Sequence, residues 1–156
     1  MLSDTTAWYM EKLGYRISSL GNENFRVICN KDGIPLGFLK KDQTIQMVEE
    51  EKDEEKALGE IVGFVKEYGD LRKVGNTEFE IGMYNGVSIT AFYDIEKRAV
   101  QFAVYDNGNG QTELYDSRQK AEGAFVVAAG LAKASPHVPL RVRIGRKLLK
   151  GWGSNG

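Results

Sequence analysis

Residues 78–94 read EFEIGMYNGVSITAFYD, two runs of alternating apolar and polar residues joined by Asn85-Gly86. Such alternation is typical of strands with one buried face, and Asn-Gly between two strands indicates a tight β-hairpin. Two more strand-like runs follow, at residues 99–105 and 112–115. This part of the chain therefore predicts four consecutive strands in an antiparallel sheet.

The residues on either side of this stretch repeat its order of elements. After a short helix that ends near Gly14, strands are predicted at residues 15–20, 25–30, 34–40 and 43–48. An amphipathic helix is predicted over residues 49–68, because its apolar residues recur at helical spacing. The second set of strands is followed by an Ala- and Gly-rich helix, residues 117–134, which is apolar nearly all round and is expected to be buried.

The sequence thus predicts an α+β fold with a mainly antiparallel sheet built from two ββββα-like halves. The halves are residues 1–73 and 74–156, and we expect them to form a single compact domain over residues 1–156. Gln-Thr precedes the fourth strand in both halves, at Gln43 and Gln111, and a glycine lies in both helices, at Gly59 and Gly123. The halves are therefore interpreted as an internal pseudo-repeat.

The composition predicts a soluble, globular protein. The 156 residues are 42% hydrophobic and 28% charged, which suits one folded domain. Cys29 is the single cysteine, so an intramolecular disulfide is excluded. The first residues lack the pattern of a signal peptide, and the longest apolar stretch is far shorter than the roughly 20 residues of a membrane span. We therefore expect cytoplasmic localisation and no membrane contact.

The charges are divided unevenly along the chain. Residues 1–132 contain 15 basic and 22 acidic residues, whereas residues 133–156 contain six basic residues and no acidic one. The candidate binding residues at this basic end are Arg141, Arg143, Arg146, Lys147, Lys150 and Trp152. Cations attract phosphates, and a tryptophan stacks on bases, so one hypothesis is nucleic-acid binding. The end could instead anchor an acidic protein, or simply cover a hydrophobic edge.

The two arginines of this end also have a structural interpretation. Residues 141–145 read RVRIG, which has the form of EFEIG at residues 78–82 with the opposite charge. If these two strands are neighbours, Arg141 and Arg143 form cross-strand ion pairs with Glu78 and Glu80, each worth about 0.2–1 kcal/mol. We expect this pairing.

A second candidate surface is acidic and consists of Glu49, Glu50, Glu51 and Glu54. One interpretation is purely structural, because negative charge at the start of a helix is stabilised by the helix dipole. The other is a partner surface, which imitates the charge of nucleic acid or binds a basic surface on another protein. Acidic and basic surfaces on one chain also predict head-to-tail self-association.

Signatures of catalysis, cofactors and metals are missing from the sequence. It has no Gly-rich phosphate loop, nucleophile elbow or zinc-spaced Cys/His cluster. Residues 106–110 look like a calcium loop but lack its alternating oxygen ligands and closing glutamate, and His137 lies alone between two prolines. The carboxylate pair Asp94 and Glu96 lies in no recognisable pocket motif. We therefore expect no enzymatic activity, no cofactor and no metal.

Two resemblances bear on function. The helix–strand–strand–strand–helix order of residues 3–68 resembles the double-stranded-RNA-binding domain, but that family is basic where residues 49–55 are acidic, so we reject it. Small proteins with mixed charge and no catalytic motif resemble accessory or inhibitor proteins of phages and mobile elements, anti-CRISPR proteins among them. The sequence therefore predicts a non-catalytic module that binds another protein, with nucleic-acid binding as the alternative.

Overall fold

The computed structural model of the protein describes residues 2–19, 25–75, 77–131, 142–144 and 147–149. These residues form three helices, two antiparallel sheets of four and five strands, and a separate two-stranded ribbon. The predicted α+β fold is confirmed. The chain divides into two units, Met1–Asp70 and Leu71–Gly156.

The first unit is a four-stranded sheet with two helices. Its elements are α1 (Leu2–Lys12), β1 (Arg16–Ser19), β2 (Phe25–Cys29), β3 (Pro35–Lys40), β4 (Ile45–Met47) and α2 (Lys52–Tyr68). The four strands pair in sequence order, each antiparallel to the next. Helix α2 begins three residues later than predicted, because residues 49–51 form an extended loop after β4.

The core of the first unit contains aromatic side chains from both helices. The ring centroid of Phe64 on α2 lies 5.2 Å from that of Tyr9 on α1 and 5.1 Å from that of Tyr68. All five residues of the predicted apolar face of α2 are buried: Leu58, Ile61, Val62, Val65 and Tyr68. The helical periodicity of the sequence therefore identified the buried face of α2 correctly.

Two glycines in α2 offer a simple way to stabilise the first unit. Gly59 and Gly63 are exposed, and a Cβ atom at either position would meet no atom within 4 Å. Alanine is more favourable than glycine in a helix by about 1 kcal/mol, so Gly59→Ala and Gly63→Ala should each raise the free energy of unfolding by roughly that amount. Urea unfolding followed by circular dichroism measures this.

Gly69 supplies the control for these substitutions. A Cβ atom there would lie 2.5 Å from the carbonyl oxygen of Val65, so Gly69→Ala is expected to destabilise the unit. If Gly59→Ala, Gly63→Ala and Gly69→Ala all lowered stability alike, the described packing of α2 would be contradicted.

The described residues of the second unit form a five-stranded sheet, one helix and the two-stranded ribbon. Its elements are β5 (Arg72–Val74), β6 (Glu78–Tyr84), β7 (Val87–Asp94), β8 (Ala99–Asp106), β9 (Gln111–Tyr115), α3 (Arg118–Ala128), β10 (Val142–Ile144) and β11 (Lys147–Leu149). Strands β5 to β9 pair in sequence order. The predicted hairpin between β6 and β7 is confirmed, since Asn85 and Gly86 both have the positive φ of a type I′ turn, 53° and 76°.

Helix α3 is shorter and less buried than predicted. Gly130 has a φ of 78°, and the amides of Gly130 and Leu131 donate to the carbonyls of Val127 and Val126. This Schellman motif ends the helix six residues before Ala134. The expectation of burial all round is wrong, because α3 packs along one side against β7, β8 and β9, and Val127 is 61% exposed.

The predicted pairing between the basic strand and β6 is wrong. Strand β6 is hydrogen-bonded to β5 on one side and β7 on the other, whereas β10 pairs with β11. Strand β10 lies near β6, but it is not hydrogen-bonded to a strand of the five-stranded sheet. The residue opposite Glu80 is Arg72 of β5, whose guanidinium lies 3.8 Å from the carboxylate.

Candidate functional site

A tight turn holds the first part of the candidate site at one end of the first sheet. The Oδ1 atom of Asn30 accepts hydrogen bonds from the amides of Asp32 and Ile34, at 2.9 and 3.0 Å. The amide of Asn30 in turn donates to the carbonyl of Ile34 at 2.9 Å. Three bonds therefore fix the backbone around Ile34, although its side chain is 58% exposed.

Val48 lies beside this turn, at the end of β4. Its amide donates to the carbonyl of Leu36 at 2.9 Å, which extends the pairing of β3 and β4 by one residue beyond Met47. The Val48 side chain is 50% exposed. Two large apolar side chains, Ile34 and Val48, are thus presented to solvent on neighbouring segments of fixed backbone.

Three carboxylates follow Val48 directly along the chain. Glu49, Glu50 and Glu51 are all exposed and lie in the loop before α2. Glu51 occupies the N-cap position in an extended conformation, and its side chain makes no capping hydrogen bond. The positive end of the helix dipole favours negative charge here. The Glu51 carboxylate nevertheless stays free of a capping hydrogen bond to the helix.

Glu54 differs from the other three predicted acidic residues. It is half-buried, and its carboxylate accepts a hydrogen bond of 2.8 Å from the hydroxyl of Tyr15, which is 8% exposed. The side chain therefore ties α2 to the residue before β1. We leave Glu54 out of the candidate surface for this reason.

The remaining five residues, Ile34, Val48, Glu49, Glu50 and Glu51, are called the acidic–apolar surface. Burying its apolar side chains against a partner is favourable, because it removes them from water. Its carboxylates select a cationic partner and speed the encounter with it. The sequence pattern predicted the charge but missed Ile34 and Val48, which look like ordinary strand residues in the sequence.

The predicted basic candidates are described only in part. Arg141, Arg146, Lys150 and Trp152 lie outside the described residues. The ribbon places Arg143 opposite Leu148 and Lys147 opposite Ile144.

A polar cluster joins three strands of the second sheet. The carboxylate of Glu78 on β6 accepts hydrogen bonds from the hydroxyl of Thr90 on β7, at 2.7 Å, and from that of Tyr105 on β8, at 2.7 and 2.8 Å. Thr90 is 1% exposed. Partial burial, followed by the hydrogen bond to Glu78 and the charge of Glu78, raises the pKa of Tyr105 to about 12. The cluster therefore acts as a brace across β6, β7 and β8.

This brace predicts a loss of stability at alkaline pH. The pKa of Tyr105 is about 12 in the folded protein, against the ordinary tyrosine pKa of 10.0 in the unfolded chain. The contribution of Tyr105 is therefore complete below pH 10 and is lost as the pH rises towards 12. Tyr105→Phe should remove this part of the pH dependence. Urea unfolding of the wild type and of Tyr105→Phe between pH 10 and 12 measures the difference. If the free energy of unfolding fell in parallel with pH for the two proteins, the brace would be contradicted.

Two other groups of polar residues are explained by turns. The carboxylate of Asp94 accepts from the amides of Glu96 and Lys97, at 3.0 and 3.2 Å. The carboxylate of Asp106 accepts from the amide of Gly108 at 2.9 Å, and Asn109 accepts from Gln111. Both groups close hairpins, the first between β7 and β8 and the second between β8 and β9.

Comparison with protein-family models, with curated proteins and with solved structures found no match. Over the residues that the structure describes, no three His, Cys, Asp or Glu side chains are grouped so that they could hold a metal ion. No helix in the same part of the chain has both the length and the apolar character needed to cross a membrane.

Proposed function

We propose that this protein is a non-catalytic module that binds another protein, and that the acidic–apolar surface contacts it. The observation that carries the proposal is the exposure of Ile34 and Val48 next to Glu49, Glu50 and Glu51. An exposed apolar patch that is rimmed by polar residues often marks a site of protein–protein interaction. The accessory or inhibitor role expected from the sequence is part of this proposal.

The charge of the surface defines the chemistry of its partner. Three adjacent carboxylates repel the phosphates of DNA and RNA but attract lysine and arginine side chains. An apolar side chain of the partner has Ile34 and Val48 to pack against. We therefore expect a partner surface that combines basic residues with exposed aliphatic residues, such as the nucleic-acid-binding face of another protein.

The alternative function, nucleic-acid binding through the basic C-terminal residues, draws no support from the part of that segment that is described. Four of its six candidate residues, Arg141, Arg146, Lys150 and Trp152, lie outside the described residues. Nucleic-acid binding is therefore kept as an outcome of the experiment below.

Fluorescence anisotropy with two kinds of labelled probe separates the two functions. One probe is a peptide of alternating lysine and leucine, and the other is a duplex of DNA or RNA. We expect the protein to bind the peptide at low salt, and to bind it more weakly as salt screens the carboxylates. Binding of the duplex with a steep salt dependence, without binding of the peptide, would contradict the proposal.

A further inference from the structure

The edges of the two sheets are not equally protected against pairing with another strand. Natural sheets protect their edges with short strands, basic side chains, prolines or bulges. β4 and β5 have three residues each, and β5 carries Arg72 and Lys73. β1 has four residues and carries Arg16. These three edges therefore have ordinary protection.

Strand β9 is the exception among these edges. Its five residues, Gln111–Tyr115, include no lysine, arginine or proline, and its register against β8 runs without a bulge. The strand lies at the end of the sheet, so among the described residues it has no neighbour on its second side. Residues 111–114 are exposed, and the Leu114 side chain is 56% exposed.

We propose that two copies of the chain associate through β9, pairing antiparallel with the two Leu114 side chains opposite each other. The two sheets then form one continuous sheet of ten strands. A two-fold axis perpendicular to that sheet relates the copies, so both α3 helices lie on the same face of it. This arrangement gives the unpaired amides and carbonyls of β9 hydrogen-bond partners and removes both leucines from water.

The side chains of β9 favour this register, and they favour a second copy of the chain as the partner that pairs with the free edge of β9. Centring the pair on Leu114 places Glu113 of each copy opposite Tyr115 of the other. Within one chain the Tyr115 hydroxyl already interacts with Glu113; partial burial, followed by the charge of Glu113 and the hydrogen bond to it, raises the pKa of Tyr115. Centring on Glu113 would instead set two carboxylates directly opposite, which is unfavourable.

This association is independent of the acidic–apolar surface. The sequence predicted head-to-tail self-association through opposite charges, which would weaken with salt. Pairing through β9 is symmetric and depends on main-chain hydrogen bonds and leucine burial, so it should persist at moderate salt.

Sedimentation velocity over a range of protein concentrations tests the pairing. The wild type is expected to form a dimer, and Leu114→Lys to raise its dissociation constant by about tenfold or more, because two lysines then face each other across the seam. Met83→Lys is the matched control, since Met83 is also 56% exposed but lies on β6, three strands away. A monomeric wild type, or equal effects of the two substitutions, would overturn the proposal.

Cysteine cross-linking then tests the register without relying on a destabilising change. In a Cys29→Ser background, Leu114→Cys should form a disulfide-linked dimer under mild oxidation. Directly opposite residues have Cβ atoms about 4.5–5.5 Å apart, and a small shift brings them to the roughly 3.5–4.5 Å that a disulfide spans. Glu113→Cys should not, since the two cysteines would be diagonal neighbours. Cross-linking at position 113 but not at 114 would overturn the Leu114-centred pairing.

Discussion

Replacing Glu49, Glu50 and Glu51 together by lysine is expected to weaken binding of the lysine–leucine peptide by about a hundredfold at low salt. Each exposed ion pair contributes about 0.5 kcal/mol, and each like-charge contact that replaces it costs a similar amount, so three reversals change the binding free energy by roughly 3 kcal/mol. The three residues are exposed, and Glu51, at the N-cap of α2, makes no side-chain capping hydrogen bond. The fold should therefore tolerate the substitutions.

The control for this variant is a second triple reversal with the same change in net charge. Glu11→Lys, Asp70→Lys and Glu96→Lys change exposed carboxylates that lie apart in the sequence and outside the acidic–apolar surface. Binding of the peptide to this variant should stay within about threefold of the wild type, because distant charges are screened. Equal losses of peptide affinity in both variants would mean that binding depends only on the net charge of the protein, which would contradict a specific acidic–apolar surface.

Replacing Phe125 by alanine is expected to lower the free energy of unfolding of the second unit by about 3–5 kcal/mol. Phe125 is 0% exposed and lies at the centre of the buried side of α3. Removing its ring leaves a cavity where α3 packs against the sheet, and the loss is a large part of the 5–15 kcal/mol typical of a domain. Urea unfolding followed by circular dichroism measures the change.

Val127 provides the matched control on the same helix. It lies two residues from Phe125 but is 61% exposed, so Val127→Ala should change the stability by no more than about 0.5 kcal/mol. Similar effects of Phe125→Ala and Val127→Ala would contradict the described orientation of α3.

The parts of the fold with strong local signals were predictable. Asn85-Gly86 fixed a hairpin because only a few residues adopt positive φ easily, and the buried face of α2 followed from helical periodicity. Strand β5 was missed because three residues are too few to show alternation. Its Arg72 supplies the cation opposite Glu80 that was predicted to come from Arg141 or Arg143.

The candidate site was only half predictable. Consecutive glutamates at residues 49–51 are visible in the sequence as charge, whereas Ile34 and Val48 are not distinguishable there from core residues. Their exposure depends on the turn at Asn30 and on the last hydrogen bond between β3 and β4. Glu54 was grouped with its neighbours because sequence spacing does not reveal a bond to Tyr15, 39 residues away.

Amide hydrogen exchange of the wild type, with and without the lysine–leucine peptide, shows whether the peptide lies on the acidic–apolar surface. A partner that lies on the acidic–apolar surface covers the first amides of α2, which lack helical acceptors, and the exposed turn before β3. We expect slower exchange at residues 31–34 and 48–52 when the peptide is present. Unchanged exchange there, with the peptide bound and protection only elsewhere in the chain, would contradict it.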